Sequence, residues 1–369
     1  PLPRSMLPAV RLLSRSIRSR GISIQGSRSF AAAAGSVAPL DSSKLTIEKT
    51  TSPKTKLPND KLKFGKSFTD HMLTVDWTAE KGWATPHIKP YGPLQLDPAV
   101  SSLHYALQCF EGMKAYRAVD GSVRLFRPEL NMARMNHSME RLFLPTFDGD
   151  QFLKCIAELV KLDSHWIPEG DGFSLYIRPT GISTHPYLGV DRAAAAMLYA
   201  ILSPVGPYYP EGFKPVSLFA PKDFVRAWPG GTGASKIGGN YAPTILPQQV
   251  AMQHGYTQVL WLFGDQVTEV GTMNFFVLWD NEQGKRELVT APLDGTILPG
   301  VTRQSVLDLC RAWGEFEVTE RTFTIHEMTK AVREKRLVEA FGCGTAAVVS
   351  PVKLVNYDGD DFPIPIDDK

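Results

Sequence analysis

The chain has 369 residues, 43% of them hydrophobic and 21% charged, enough apolar material for a sizeable core and, by length, for two domains. Forty Lys and Arg against 38 Asp and Glu leave a formal charge of +2, which gives no reason to expect nucleic acid or an anionic membrane as partner. Four scattered cysteines without a C-x-x-C exclude a disulfide scaffold, and the uncharged stretch 193–210 has too short an apolar part to span a bilayer as a helix.

The charge is unevenly divided. Residues 1–36 hold six arginines (Arg4, Arg11, Arg15, Arg18, Arg20, Arg28), eight serines and no acid, the profile of a mitochondrial transit peptide, and Arg28-Ser29-Phe30 before a run of alanines resembles a processing site. A disordered basic tail has a similar composition, whereas a secretory signal would need one unbroken apolar core. Without those six arginines, 34 basic residues face 38 acidic ones, so the body carries −4. Position 1 is Pro, so the gene product is expected to start upstream. Residues 37–66 are polar and read as a disordered N-terminal linker, with the globular body beginning near Phe68.

A small domain is expected over 67–203 and a large one over 216–369, joined by the Pro-, Gly- and Tyr-rich loop 204–215. Within the first, 72–92 suggests short strands and turns, and 105–110 can be helical. A strand over 123–126 leads through Arg127-Pro128 into a helix ending at Arg141, and 151–166 repeats apolar residues at helical spacing. Strands are expected over 173–178 and 195–202. In the second, a strand over 216–220 precedes a Gly-rich loop over 229–239 and a helix that starts after Asn240 and stops at Gly255. A hairpin through Gly264-Asp265 joins 257–263 to 267–279. Gly300-Val301-Thr302 opens a helix ending at Gly314, Thr324-x-x-Glu327 is a capping box for a helix over 325–335, and a strand over 337–341 meets a turn over 342–345.

Several motifs fail. GGTGASKIGG lacks the Gly-Lys-Ser/Thr of a nucleotide loop, because Lys236 stands between Ser235 and Ile237. His326-Glu327 is not followed by the second histidine of a zinc protease, eight scattered histidines argue for no metal site, and there is no G-x-S-x-G.

Three features remain. Lys236 lies among five glycines (Gly230, Gly231, Gly233, Gly238, Gly239), where backbone can approach a flat ligand and a lysine can form a Schiff base, although from the loop alone a solvated lysine is the commoner outcome. Glu269 interrupts an otherwise apolar hairpin and, if buried, needs a cationic partner such as a protonated pyridine nitrogen; an exposed glutamate near the turn accounts for it equally well. The helix start at Gly300-Val301-Thr302 favours a phosphate, with Arg134 able to pair with it, but most such starts bind only water.

Taken with their neighbours, these features form a pattern. The stretches YALQCFEGMKAYR (105–117), RLFRPELNMARM (124–135), SLYIRPTG (174–181), GGTGASKIGGNYAPT (230–244), TEVGTMNFF (268–276) and LPGVTRQS (298–305) resemble the branched-chain amino acid aminotransferases, mitochondrial form, over roughly 68–365. The resemblance implies a fold-type IV pyridoxal-phosphate enzyme of mixed α+β class, with a small α/β domain and a larger pseudo-barrel domain. It implies pyridoxal 5′-phosphate as cofactor and exchange of amino groups between leucine, isoleucine or valine and 2-oxoglutarate, which becomes glutamate. By the same resemblance, Lys236 is the catalytic residue and holds the cofactor, Glu269 pairs with its ring nitrogen, and Tyr241 bonds its phenolic oxygen. Arg134, Val301, Thr302 and Thr345 hold the phosphate, and Thr272 lies against the ring. Tyr105, Phe110, Tyr176 and Tyr208 surround the branched side chain. Arg178 and the Thr345-Ala346 turn match positions linked to carboxylate recognition. Leu188 and Val190 match a loop that reaches the partner subunit's site, implying a homodimer in the mitochondrial matrix.

The chain departs from some relatives. Ala347 and Ser350 stand where animal mitochondrial members carry a C-x-x-C pair, and the chain stops at Lys369, short of the family's usual C-terminal helix, which implies a fragment. D-amino-acid aminotransferases and aminodeoxychorismate lyases share the implied fold but read different carboxylates. A silent homologue that only binds would be expected to lose Lys236, which is present.

Overall fold

The computed structural model of the protein describes residues 37–207 and 214–366. The proposed transit segment and Tyr208 lie outside them. Two nine-stranded sheets, each with helices against it, build the fold and give the expected α+β class.

The first sheet uses β1 (Thr46–Ile47), β2 (His71–Thr78), β3 (Gly82–Trp83), β4 (His87–Pro90), β5 (Gln108–Phe110), β6 (Met113–Arg117), β7 (Val123–Leu125), β8 (Ser174–Ser183) and β9 (Ala195–Val205). Its order is β1-β4-β2-β9-β8-β6-β7, with β3 on β2 and β5 on β8. Helices α2 (Pro128–Arg141) and α3 (Gly149–Leu162) cover it. The sequence dictates both helices locally. Pro128 in the first turn of α2 is pre-set for helical φ and gives up only an N–H that has no helical acceptor, and Asp148 caps α3 by accepting from the amides of Asp150 and Gln151. Met132, Met135 and Met139 of α2 and Phe152, Ile156 and Leu159 of α3 then pack on Leu73, Val75, Ile177 and Leu198.

Two expectations fail here. The stretch 105–110 is not one helix: α1 (Ser101–Tyr105) stops at Ala106, which is left-handed at φ 53°, and β5 follows. Ladder pairing of Cys109 and Phe110 with Gly181 and Thr180 outweighs local helix preference. Residues 37–66 are not a disordered linker. Leu40 is buried in the core, Ala38 bridges Gly82, and β1 pairs in parallel with β4. Gly82 has φ +80°, and a Cβ there would meet the Ala38 carbonyl oxygen at 2.3 Å, so the arm requires glycine at that position. Farther on, the Thr50 amide donates to His71 Nε2 at 2.9 Å, while His71 Nδ1 lies 2.7 Å from buried Asp163. The Lys54 amide donates to Asp70 at 2.8 Å. Apart from Leu40 and Leu45, which pack on the core, the arm is held by hydrogen bonds, which is why its composition reads as polar.

The second sheet contains β10 (Val216–Phe219), β11 (Gln258–Phe263), β12 (Gln266–Val270), β13 (Met273–Asp280), β14 (Arg286–Thr290), β15 (Glu317–Glu320), β16 (Leu337–Gly344), β17 (Val348–Tyr357) and β18 (Asp360–Pro363). Its order β12-β11-β10-β17-β16-β13 closes on itself because β12 also pairs with β13, which is the expected pseudo-barrel; β14 and β15 extend it and β18 pairs with β17. Val216, Leu260, Val270, Phe275, Val277 and Val352 belong to its core. Outside it lie α4 (Ile245–Gln253), α5 (Val301–Trp313), ended by left-handed Gly314, and α6 (Ile325–Arg333), which has both bonds of the capping box.

Here too the elements depart from expectation. The second hairpin arm breaks at Gly271-Thr272 into β12 and β13, which fold back on each other and set Glu269 opposite Asn274. The strand expected over 337–341 runs on to Gly344, held by β17 on one side and β13 on the other.

Candidate active site

Lys236 lies on the loop between β10 and α4, and its backbone is clamped from two sides. Its amide donates to Ser138 Oγ of α2 at 2.8 Å, its carbonyl accepts from the Phe110 amide at 3.0 Å, and Ile237 bridges Cys109 of β5. The half-buried side chain donates from Nζ to Tyr241 Oη at 3.0 Å and lies 4.9 Å from the Phe110 ring centre. None of the five glycines around it lines the cavity described below. Gly233 packs instead, since a Cβ there would meet the carbonyl oxygens of Gly295 and Thr296 at 2.7 Å.

Glu269 is 2% exposed, so the reading as an exposed hairpin residue is excluded. Its Oε1 accepts from the Leu298 amide at 2.8 Å and from Asn274 Nδ2 at 3.0 Å, and its Oε2 lies 2.9 Å from Nε of Arg226. The chain itself therefore supplies the cation that the sequence demanded, and Arg226 was not among the expected site residues. Burial pushes the Glu269 carboxyl above its ordinary range, although Arg226, the Leu298 amide, Lys236 and Arg134 all act to lower it.

The anion-binding end combines α5 with Arg134. Gly300 caps α5 without a side-chain hydrogen bond, so no side chain claims the first-turn N–H groups of Val301 and Thr302. Arg134, 8% exposed, donates to Glu111 through Nε at 2.7 Å and Nη2 at 2.8 Å, and to the Pro299 carbonyl at 2.9 Å. Burial alone would raise the Glu111 carboxyl, but the Arg134 guanidinium, together with Lys236 and Asn131, outweighs it and holds that carboxyl below its ordinary range. A guanidinium has five N–H groups, so the fork on Glu111 leaves Arg134 able to bind another anion.

A cavity of about 370 Å³ joins these parts. Of the expected residues, it brings together Lys236, Arg134, Tyr241, Thr272, Val301, Thr302, Thr345, Phe110, Tyr176, Arg178 and Ala346. Glu269 lies behind the wall made by Asn274 and Leu298. Tyr105, Leu188 and Val190 are exposed and do not line it, although the Tyr105 hydroxyl donates to the Leu188 carbonyl. Phe64 was missed: it lies in the arm read as linker, lines the cavity, and meets Tyr176 edge-on at 4.8 Å. Gln258 and Met273 were also missed. Cys343 is in the wall, but burial pushes its thiol up to about 12, so it stays protonated and is no nucleophile at neutral pH.

These residues fit a flat ring bearing a phosphate. An uncapped helix start and a buried arginine receive the anion, and a buried carboxylate stands behind the wall. A primary amine reaches between them. Arg178 stacks over the rings of Phe110 (4.8 Å) and Tyr176 (5.2 Å), and its buried Nε has no hydrogen-bond partner among the described residues, leaving a donor for a further carboxylate.

Comparison with known proteins gives a consistent result. The family model for class IV aminotransferases matches residues 108–355. A branched-chain-amino-acid aminotransferase of Dictyostelium discoideum is 56% identical over 325 residues, covering 88% of this chain and 86% of its own. A mitochondrial one of Saccharomyces cerevisiae is 53% identical over 335 residues, covering 89% and 85%. Cytosolic forms occur among relatives of similar identity. A crystal structure of a branched-chain aminotransferase of Thermoproteus uzoniensis with norvaline superposes with a TM-score of 0.64 at 23% identity, covering 79% of this chain and 89% of that one, a likeness of fold.

Proposed function

Because this chain belongs to the branched-chain-amino-acid aminotransferase family of class IV, we propose that its cavity divides into a cofactor end and a substrate end with Lys236 between them. The enzyme transaminates branched-chain amino acids with pyridoxal 5′-phosphate. One observation carries the division of labour: a single cavity joins an amine, an uncapped helix start beside a buried arginine, and a buried acid behind the wall.

When bound, the cofactor supplies an electron sink that makes the proton on the substrate's α-carbon removable. Arg134, the amides of Val301 and Thr302, and Thr345 would hold its phosphate. Glu269, behind the Asn274 and Leu298 wall, would pair with its ring nitrogen, Tyr241 would donate to its phenolic oxygen, and Thr272 would lie against its ring. Lys236 Nζ then takes the α-proton and returns it, a general base and acid held in place by its clamped backbone. Phe110, Tyr176 and Phe64 present apolar ring surface to a branched side chain and exclude water. Arg178 and the Thr345-Ala346 turn receive carboxylates, including the second carboxylate of 2-oxoglutarate.

The expected result with 2-oxoglutarate as acceptor is glutamate formation from L-leucine, L-isoleucine and L-valine, and much less from L-alanine or D-alanine. Conversion of D-alanine alone would overturn the branched-chain reading. We further infer a homodimer. Leu188 and Val190 are apolar yet 59% and 81% exposed beside Tyr105, which suits a loop covered by a second copy. Analytical ultracentrifugation should give twice the chain mass, and a fully active monomer would contradict this. The arginine-rich leader supports a mitochondrial address, and a reporter fused to residues 1–36 that stayed in the cytosol would rule it out.

A further inference from the structure

We propose that Arg226 is a positioning residue that keeps Glu269 ionised and oriented for the ring nitrogen of the cofactor. This rests on the reading of Glu269 as the acid facing that nitrogen. Glu269 is nearly inaccessible, and an unpaired carboxylate in such a place takes up a proton rather than stay charged. Two of its contacts, the Leu298 amide and Asn274 Nδ2, are neutral donors on Oε1 and orient the group without supplying charge. Arg226 makes the charged contact, at 2.9 Å to Oε2, and its side chain is only 5% exposed. The guanidinium is itself pinned, because Nη1 donates to the Thr296 carbonyl at 3.1 Å. The other titratable groups near Glu269 are Lys236 on the glycine-rich loop, Arg134 on α2 and the Cys343 thiol on β16, which act through space.

A buried ion pair is seldom the most stable way to fill a core, since apolar residues of similar volume often do as well or better. This one lies directly behind the cavity wall, where its value is to hold a negative charge in a dry place. A protonated Glu269 would offer a ring nitrogen no negative charge to stabilise its positive form. Arg226 therefore sets the charge of Glu269 before the cofactor arrives.

The test uses the full chain stripped of cofactor and titrated with pyridoxal 5′-phosphate from neutral to alkaline pH, each variant being compared with wild type at every pH. R226M should bind about tenfold or more weakly at neutral pH, the equivalent of one pKa unit or more. That deficit should close as the pH rises and Glu269 loses its proton. R226Q, which keeps a hydrogen-bond donor without charge and is the milder change should R226M fail to fold, should show the same pH-dependent loss. R226K should restore a wild-type pH profile. E269Q should bind weakly at every pH. If E269Q binds as tightly as wild type, the assignment of Glu269 fails; if E269Q is weakened but the R226Q deficit is flat with pH, Arg226 is merely structural and the proposal is overturned.

Discussion

Replacing Lys236 by alanine is expected to abolish transamination while leaving a folded protein. The loss of a positioned acid and base alone removes about 10²- to 10⁴-fold of rate, and loss of the amine that holds the cofactor adds to it. Folding should survive because what fixes this loop is backbone: the Lys236 amide on Ser138, its carbonyl on the Phe110 amide, and the Ile237 bridge to Cys109. None of these needs the side chain. The measurement is glutamate production from L-leucine together with the melting temperature and the visible absorbance of the cofactor-loaded protein. Retention of a tenth or more of wild-type turnover, on a variant that still melts like wild type, would remove Lys236 from the chemistry.

The second large effect is on stability and concerns Glu111, a residue that touches nothing outside the protein. It is fully buried, with Arg134 forked on both its oxygens and Asn131 donating to one of them at 2.8 Å. Glu111→Ala leaves the Arg134 guanidinium buried without a counter-charge, which should cost about 3–5 kcal/mol in chemical denaturation. Because the Glu111 carboxyl is held below its ordinary range when folded, its stabilising contribution is present above the unfolded value of about 4.3 and is lost as the pH falls toward the folded value. The gap between wild type and E111Q should therefore narrow in acid. A double variant, E111L with R134M, should recover part of the stability while losing cofactor affinity, separating the structural from the functional use of Arg134. An E111A protein within about 1 kcal/mol of wild type at neutral pH would show that the pair is not a significant support.

What could be read from the chain was what is decided locally. Pro128 and the Thr324-Glu327 box mark helix starts by chemistry confined to one turn, and those helices start where expected, whereas the helix expected over 151–166 runs from Gly149 to Leu162, its Asp148 cap having been missed. Lys236 and Glu269 were legible as anomalies, an amine in a glycine loop and an acid in an apolar hairpin. Their partners were not. Arg226 meets Glu269 from the loop after β10, and Glu111 meets Arg134 from the connection between β5 and β6, and no local pattern encodes such pairings. The arm 37–66 misled for a similar reason: composition detects apolar burial, whereas the arm is held by single hydrogen bonds to Asp70, His71 and Gln151 and by Leu40. Phe64 was lost with it.

The place of β2 in the first sheet bears on how the protein can be cut. It stands between β4 and β9, while the segment shared with the wider class begins only at residue 108. A piece trimmed to that segment would lack β1 to β4 and leave β9 bare along its length. That strand, Ala195–Val205, is uncharged and largely apolar, and its only proline is next to last. A long unguarded edge of this kind invites pairing with another copy, so the trimmed piece should aggregate rather than stay soluble. The boundary of the shared segment is not the boundary of a separable body.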